Sequence, residues 1–303
     1  MKESIEYYYN LTIDELFIEK DVYHFKIDNR DFYFNYFSRD VKDLEDIIKC
    51  NVELKNHGVN THIIFKNINN EYLTKIEDQN YILIEVINKS EIINISDIID
   101  YNRKFILIDS NNLYRNNWSY LWQTKIDYIE SQLKEIKTNI IIENSIDYYI
   151  GLAENAIYYV NMIEKKYPIS NLDKIVLSRK RIYFPNYKLN YLNPLSFIFD
   201  LEVRDVAEYI KSYFFAGENA KVELETFLKS VHLTTYSYNM LFARLLYPSY
   251  YFDIYEKIVN TNEKSDKLLK IVSLNVEYEK FLKKAYELIS SYAPLENIEW
   301  LKN

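Results

Sequence analysis

Glycine is scarce in this chain: 303 residues contain three, Gly58, Gly151 and Gly217. No two are close enough to build a loop that cradles phosphate, so a Walker loop, a dinucleotide-binding fingerprint and a Gly-rich kinase loop are all missing. The single cysteine, Cys50, excludes an internal disulfide and a cysteine-based zinc site, and it suits a reducing compartment or one where redox is irrelevant. The four histidines, His24, His57, His62 and His232, lack metal-ligand spacing. There is no Gly-x-Ser-x-Gly, and Cys50 falls in a predicted helix with no recognisable partner, so nothing reads as an activated nucleophile. Basic charge is also in deficit, 37 Lys and Arg against 45 Asp and Glu for a net charge of −8. A nucleic-acid partner, which demands a basic footprint, is therefore disfavoured. No stretch nears the ~20 apolar residues that span a bilayer, and MKESIEYYYN has no apolar signal core. The expectation is a soluble, unprocessed protein without a membrane partner.

What is abundant is apolar and aromatic: 48% hydrophobic residues and 31 tyrosines, enough to bury a substantial core. The tyrosines reflect either an A+T-rich coding bias or a use as stacking or cross-linking surface, and composition does not separate the two. From Glu15 to Phe37, the runs ELFIEKD, VYHFKI and DFYFNYF, broken at Lys20-Asp21 and Asp28-Asn29-Arg30, predict a three-stranded antiparallel meander. Apolar residues at Val41, Leu44, Ile47, Ile48, Val52 and Leu54 then mark one amphipathic helix stopped by His57-Gly58. HIIFKN, EYLTKI and YILIEVI return to strand character.

After Asn88 the pattern turns helical, around Ser96–Lys104, Asn117–Lys137, Ile146–Lys166, Val203–Phe215, Glu218–Val231, Thr234–Val259 and Ser265–Tyr292, with an extended or looped interruption near Lys174–Asp200. Pro248 should end or kink its helix. Trp118 and Trp122, four residues apart, should share a core-packing face. The reading is an α+β protein with a sheet-rich lobe over 1–88 and a helical lobe over 89–303.

This order of elements resembles the bilobal protein-kinase-like fold of aminoglycoside phosphotransferases and choline kinases. Within that group, LSRKRIYFPN, then NPLSFIFDLEVRDVAEYIK, then LFARLLYPSYYFDIYE look most similar to the kinase-related spore coat proteins of Gram-positive spore formers. The resemblance covers nearly the whole chain, with distinctive strings in the second lobe and a match of pattern alone in the first.

The resemblance implies positions for the parts that phosphoryl transfer needs: a Gly-rich turn, a strand Lys, a catalytic Asp, and an Asn and an Asp for magnesium. The hairpin FIEKDVYHF has no Gly. Asn35 stands where the family has its Lys, and a neutral amide does not neutralise phosphate. Glu45 is the nearest counterpart of the Lys-pairing Glu, or else a solvated helix charge. Arg179 falls at the His of the catalytic loop, Arg181 at the catalytic Asp and Asn186 at the Asn. A guanidinium in place of the carboxylate removes the proton acceptor. Asp200 falls at the metal-binding Asp, so Asn186 and Asp200 are either a residual magnesium pair or residues bonded locally. The Ser178-Arg179-Lys180-Arg181 run admits an anion or an acidic partner, or else a surface loop paired with nearby carboxylates. Asp205, near a helix N-terminus, reads as a helix-capping or dipole-stabilising acid, and Arg244, in an apolar stretch, is expected to pair with a buried acid such as Asp205.

The resemblance therefore implies a kinase-like protein without phosphotransfer activity or cofactor, serving as a structural or interaction component with protein partners in a coat assembly, in the cytoplasm or the spore coat. The rival is an active ATP- and magnesium-dependent small-molecule phosphotransferase with non-standard residues. A third expectation is a protein that holds an anion or small metabolite in the old substrate cleft.

Overall fold

A computed structural model describes the chain except residues 20–21, 88–89, 105–109, 111, 136–138, 262–263 and 302–303. The Lys20-Asp21 break, the residue Asn88 that marks the lobe boundary, and the last residues of the predicted Asn117–Lys137 helix lie outside the described residues. The first part runs α1 (Lys2–Tyr9), β1 (Leu16–Glu19), β2 (Val22–Ile27), β3 (Arg30–Tyr36), α2 (Asp43–Asn56), β4 (Ile63–Phe65), β5 (Thr74–Ile76) and β6 (Gln79–Val86). The strands form one antiparallel sheet in the order β1-β2-β3-β6-β4, with β5 also on β6. The meander and the following helix agree with the sequence pattern, and Gly58 ends α2 at φ +76°, a left-handed conformation that costs glycine little.

Strand alternation sorts the side chains by face. Phe32, Phe34, Tyr81 and Leu83 join Ile5 and Ile13 in a small outer core, while Ile82 and Ile84 join the large core that runs into the second part. The helix that covers the outer core, α1, has no counterpart in the sequence reading. Its polar and acidic surface hides a single fully buried anchor, Ile5, and Tyr9 adds an edge contact on Phe34 at 6.0 Å.

The second part contains α3 (Ile95–Lys104), α4 (Trp118–Glu135), α5 (Ile140–Lys166), β7 (Ile175–Arg179), α6 (Lys188–Tyr191), β8 (Phe197–Leu201), α7 (Val203–Ala216), α8 (Ala220–Ser230), α9 (Thr235–Leu246), α10 (Ser249–Thr261), α11 (Asp266–Ser273) and α12 (Asn275–Ser290). The helical stretch over Thr234–Val259 is two helices, parted as expected at Pro248, which lacks the amide to continue the ladder. Ser265–Tyr292 likewise divides, at Leu274. Helix α5 starts at Ile140 instead of Ile146, because the Asn139 side chain accepts from the amides of Ile141 and Ile142 and caps it there. The interruption near Lys174–Asp200 is an antiparallel pair, β7 with β8, that pairs Val176 with Asp200.

Candidate functional site

Two regions bear on function, the first of them a cavity. The first, about 560 Å³, lies between the sheet and the segment around α6. Its sheet wall includes Tyr33 and Asn35 of β3, and its other wall is Leu189, Asn190 and Asn193. Asn35 is set there by register, paired with Val22 on one side and Ile82 on the other, and its amide donates to the Tyr33 carbonyl at 3.2 Å. His24 stacks on Tyr33 with ring centroids 4.5 Å apart and meets Asp31 at 2.7 Å. His62 closes the inner end: its Nε2 lies 2.9 Å from the Leu189 carbonyl, and its Nδ1 accepts from the Ile87 amide at 3.2 Å. Accepting at Nδ1 makes the ring the neutral tautomer that donates from Nε2. Burial holds the His62 pKa below its ordinary value, with the Leu189 contact opposing.

Among the described residues that line this cavity there is no Lys, Arg, Asp or Glu. Among those residues none carries a charge that would neutralise a nucleotide phosphate or ligate magnesium as an anion. Glu45 is no part of it; its side chain is 78% exposed and pairs with Lys49 at 2.7 Å. The inward acids of α2 are Asp43, which accepts from Arg39 at 2.9 Å, and Asp46, which accepts from Ser110 at 2.8 Å and Asn112 at 2.9 Å.

The second region lies within the helical part. Strand β8, FIFDL, is buried on both faces, so the carboxylate of Asp200 enters an apolar layer and has to be paired there. Oδ1 accepts from the Trp118 indole at 3.1 Å and the Leu201 amide at 2.7 Å; Oδ2 accepts from Arg204 at 2.9 Å and Arg244 at 2.7 Å. Arg244 therefore pairs with Asp200 and not with Asp205, because α9 aims it at β8. Asp205 sits in the first turn of α7, where the helix dipole favours an acid, but it caps no helix amide: one oxygen accepts the Arg179 amide at 2.9 Å, and the other lies 3.4 Å from the Arg179 guanidinium. Burial raises the Asp205 carboxyl, with Arg179 opposing.

The Ser178–Arg181 run is split three ways. Arg179 is 1% exposed, donates to the Tyr191 carbonyl at 2.7 Å and stacks 3.5 Å from the Tyr191 ring centroid. It is a core residue, not part of a surface loop. Lys180 lies toward Arg39 and Arg115; burial and these two cations pull its ammonium down to about 8. Arg181 grips Asp253 with Nε and Nη2, the latter at 2.9 Å. Beside it, Lys211 donates to Glu208 at 2.8 Å and to Ser249 at 2.6 Å. Burial favours a raised Glu208, but Lys211, Arg181 and Arg204 outweigh it and hold the carboxyl down at about 2. Burial likewise pulls Lys211 down to about 8 against the attraction of Glu208.

The residues that the resemblance would gather are held by different partners. Asn35 faces the first cavity, and Arg181 and Asp200 belong to the ion-pair cluster. Asn186 hangs on a third network, its side chain accepting from Ser212 at 3.3 Å and its backbone carbonyl from the Ile93 amide at 2.7 Å. Asn186 and Asp200 share no hydrogen-bond partner, and Asp200 has no oxygen without a donor. Among the described residues no group of three or more His, Cys, Asp and Glu is arranged to hold a metal ion. Trp122 packs as expected, stacked on Tyr247 at 4.2 Å, whereas Trp118 on the same face serves the ion pairs.

Sequence reasoning missed His62, Asn193, Glu208, Lys211 and Asp253. Asn193 carried a signal, the Asn-Pro step that starts a short 3-10 turn with its side chain accepting from Leu195. Glu208 and Lys211 carried another, opposite charges one turn apart in a helix with an otherwise apolar face. Asp253 carried none.

Comparison with known proteins fits this architecture. The family described as "Spore coat putative kinase YutH" matches residues 2–285. The "Endospore coat-associated protein YutH" of Bacillus subtilis (strain 168) is 27% identical over 207 residues, 61% of this chain, and the match spans 61% of that relative's length. Among solved structures, spectinomycin phosphotransferase APH(9)-Ia in complex with ADP and spectinomycin superposes with a TM-score of 0.58 at 11% identity, covering 96% of this chain and 97% of that one. The microcompartment-associated aminopropanol kinase gives 0.59 at 9% identity, covering 96% and 97%. At these identities the structural likeness establishes the fold alone.

Proposed function

The chain belongs to the YutH family of kinase-like spore coat proteins, and from that premise we propose that it is a coat component whose kinase fold no longer transfers phosphate. One observation carries this reading: Arg181, at the position the resemblance gives to the catalytic carboxylate, is committed to Asp253 by two hydrogen bonds. A guanidinium cannot take a proton from an attacking hydroxyl, and one locked in an ion pair does not swing aside for another base. The double use of Asp200 by Arg204 and Arg244 supports the same reading, since a carboxylate with both oxygens engaged would have to give up buried ion pairs to ligate magnesium. The function is then carried by the surface, with other coat proteins as partners and the coat as the location.

The test is magnesium-ATP. Thermal unfolding and calorimetric titration of the pure protein are expected to register no magnesium-dependent nucleotide binding and no ATP turnover. Tight metal-dependent binding, or turnover abolished by Asp200→Ala, would instead establish the active phosphotransferase reading.

A further inference from the structure

Behind Asp200, between α4, α7 and α9, is a cavity of about 190 Å³ that shares no lining residue with the inter-lobe cavity. Five cations line it: Lys125, Arg181, Arg204, Lys211 and Arg244. Their carboxylate partners are Glu256 for Lys125, Asp253 for Arg181, Glu208 for Lys211, and Asp200 for both Arg204 and Arg244. Four negative charges therefore face five positive ones, and the uncompensated cation is at the buried end, where Arg204 and Arg244 are 3% and 2% exposed. A buried charge without a counter-ion is costly, and the cost falls when an anion enters.

Two polar groups at the same wall have no partner. The Arg244 Nε and the Tyr247 hydroxyl are buried without a hydrogen bond, in residues 2% and 5% exposed. Both can donate, and a buried donor left unmade is expensive. The Trp118 ring, 4.7 Å from the Arg204 guanidinium and 4.2 Å from that of Arg244, keeps the two cations in place as they share Asp200. Burial and the neighbouring Arg204 pull Arg244 down to about 10 despite Asp200, a sign of the crowding of positive charge there. The rim at Leu121 and Lys125 is partly open to solvent.

We propose that this cavity is an anion-binding site for a small oxyanion, a phosphate, sulfate or the phosphomonoester group of a small molecule. The anion supplies the missing negative charge and takes hydrogen bonds from Arg244 Nε and the Tyr247 hydroxyl, with Lys125 at the entrance. The inference does not depend on the loss of phosphoryl transfer: no group in the cavity acts on the ligand. A second cavity of about 400 Å³ shares Arg181, Glu208, Lys211 and Ser249 with it and has Phe184, Phe215 and Tyr250 in its walls, which gives an apolar body attached to the anion a place to lie.

Calorimetric titration and thermal unfolding of the full chain with inorganic phosphate, sulfate and phenyl phosphate, each against chloride at matched ionic strength, test the site. Saturable binding by at least one of the three, with no effect of chloride, is expected. Tighter binding of phenyl phosphate than of phosphate extends the site to the second cavity, and equal affinity confines it to the first. Tyr247→Phe removes no existing hydrogen bond, so it folds, and it should weaken binding about three- to tenfold. Arg244→Met leaves Asp200 balanced by Arg204 alone and should weaken it more than about tenfold. Absence of saturable binding by all three anions overturns the proposal, as does unchanged affinity in Tyr247→Phe; the latter decides alone where Arg244→Met does not fold.

Discussion

Arg181 and Asp253, 72 residues apart in sequence, meet through two hydrogen bonds in the wall between two cavities. The pair ties the loop after β7 to α10 and leaves the guanidinium 31% exposed. We expect a double-mutant cycle of Arg181→Ala and Asp253→Ala, read by urea unfolding, to give a coupling of about 1–2 kcal/mol, above a surface pair and below a fully buried one. A coupling near zero would mean that the two side chains do not hold each other in solution.

Asp200 should be far more sensitive. Asp200→Asn keeps the shape but leaves Arg204 and Arg244 facing each other across an apolar layer without a counter-charge. The expected loss is about 3–5 kcal/mol, the cost of an uncompensated buried charge, measured as a fall in the urea midpoint at unchanged slope. A loss below about 1 kcal/mol would show that the cluster is solvated.

His62 predicts a pH dependence. Its folded pKa lies below the ordinary 6.5 because burial disfavours the imidazolium. The unfolded chain therefore binds the proton first as pH falls, so the contribution is fully present above about pH 6.5 and is lost as pH drops toward the folded pKa. The slope from this one group is at most about 1.4 kcal/mol per pH unit. Protonation also turns Nδ1 into a donor facing the Ile87 amide, which removes that hydrogen bond. Comparing unfolding at pH 7.5 and 5.5 in wild type and in His62→Gln isolates the term: the variant keeps a donor and an acceptor but does not titrate, so it should lose less on acidification.

Gly217 closes α7 at φ +92°, with nothing within 4 Å of where a Cβ would sit. Gly217→Ala should therefore cost about 1 kcal/mol, through backbone strain alone. A neutral or stabilising result in thermal unfolding would mean that the turn relaxes to another conformation.

The sequence made the sheet legible because its signals are local. Alternation in VYHFKI and DFYFNYF fixes which side chains share a face, and Pro248 stops a helix for want of an amide. Helix α1 was illegible for the complementary reason: eight residues, mostly polar and aromatic, are too few to show a period, and the buried anchor Ile5, on a sheet formed by residues later in the chain, fixes it as a helix. Its stability is tertiary, as is usual for so short a segment. In the candidate site, the sequence placed a cation at Arg181 and an amide at Asn35, and the structure keeps both in cavity walls. It did not give Arg244 its partner: Asp200 and Asp205 are both buried acids near one another in sequence, and which of them faces α9 depends on how a strand and a helix pack.

The sequence alone determined composition and periodicity: a sheet-rich first part, a helical second part, too little glycine to wrap phosphate, and a guanidinium in the loop after β7. Tertiary structure alone decided the partners. It gave Arg181 to Asp253, shared Asp200 between two arginines, and left the Tyr247 hydroxyl and Arg244 Nε unsatisfied beside a cavity. Periodicity and capping act over a few residues and can be read in order along the chain. A buried ion pair costs or stabilises according to which charges meet in the same few ångströms of low dielectric, and residues tens of positions apart come that close only once the chain has folded.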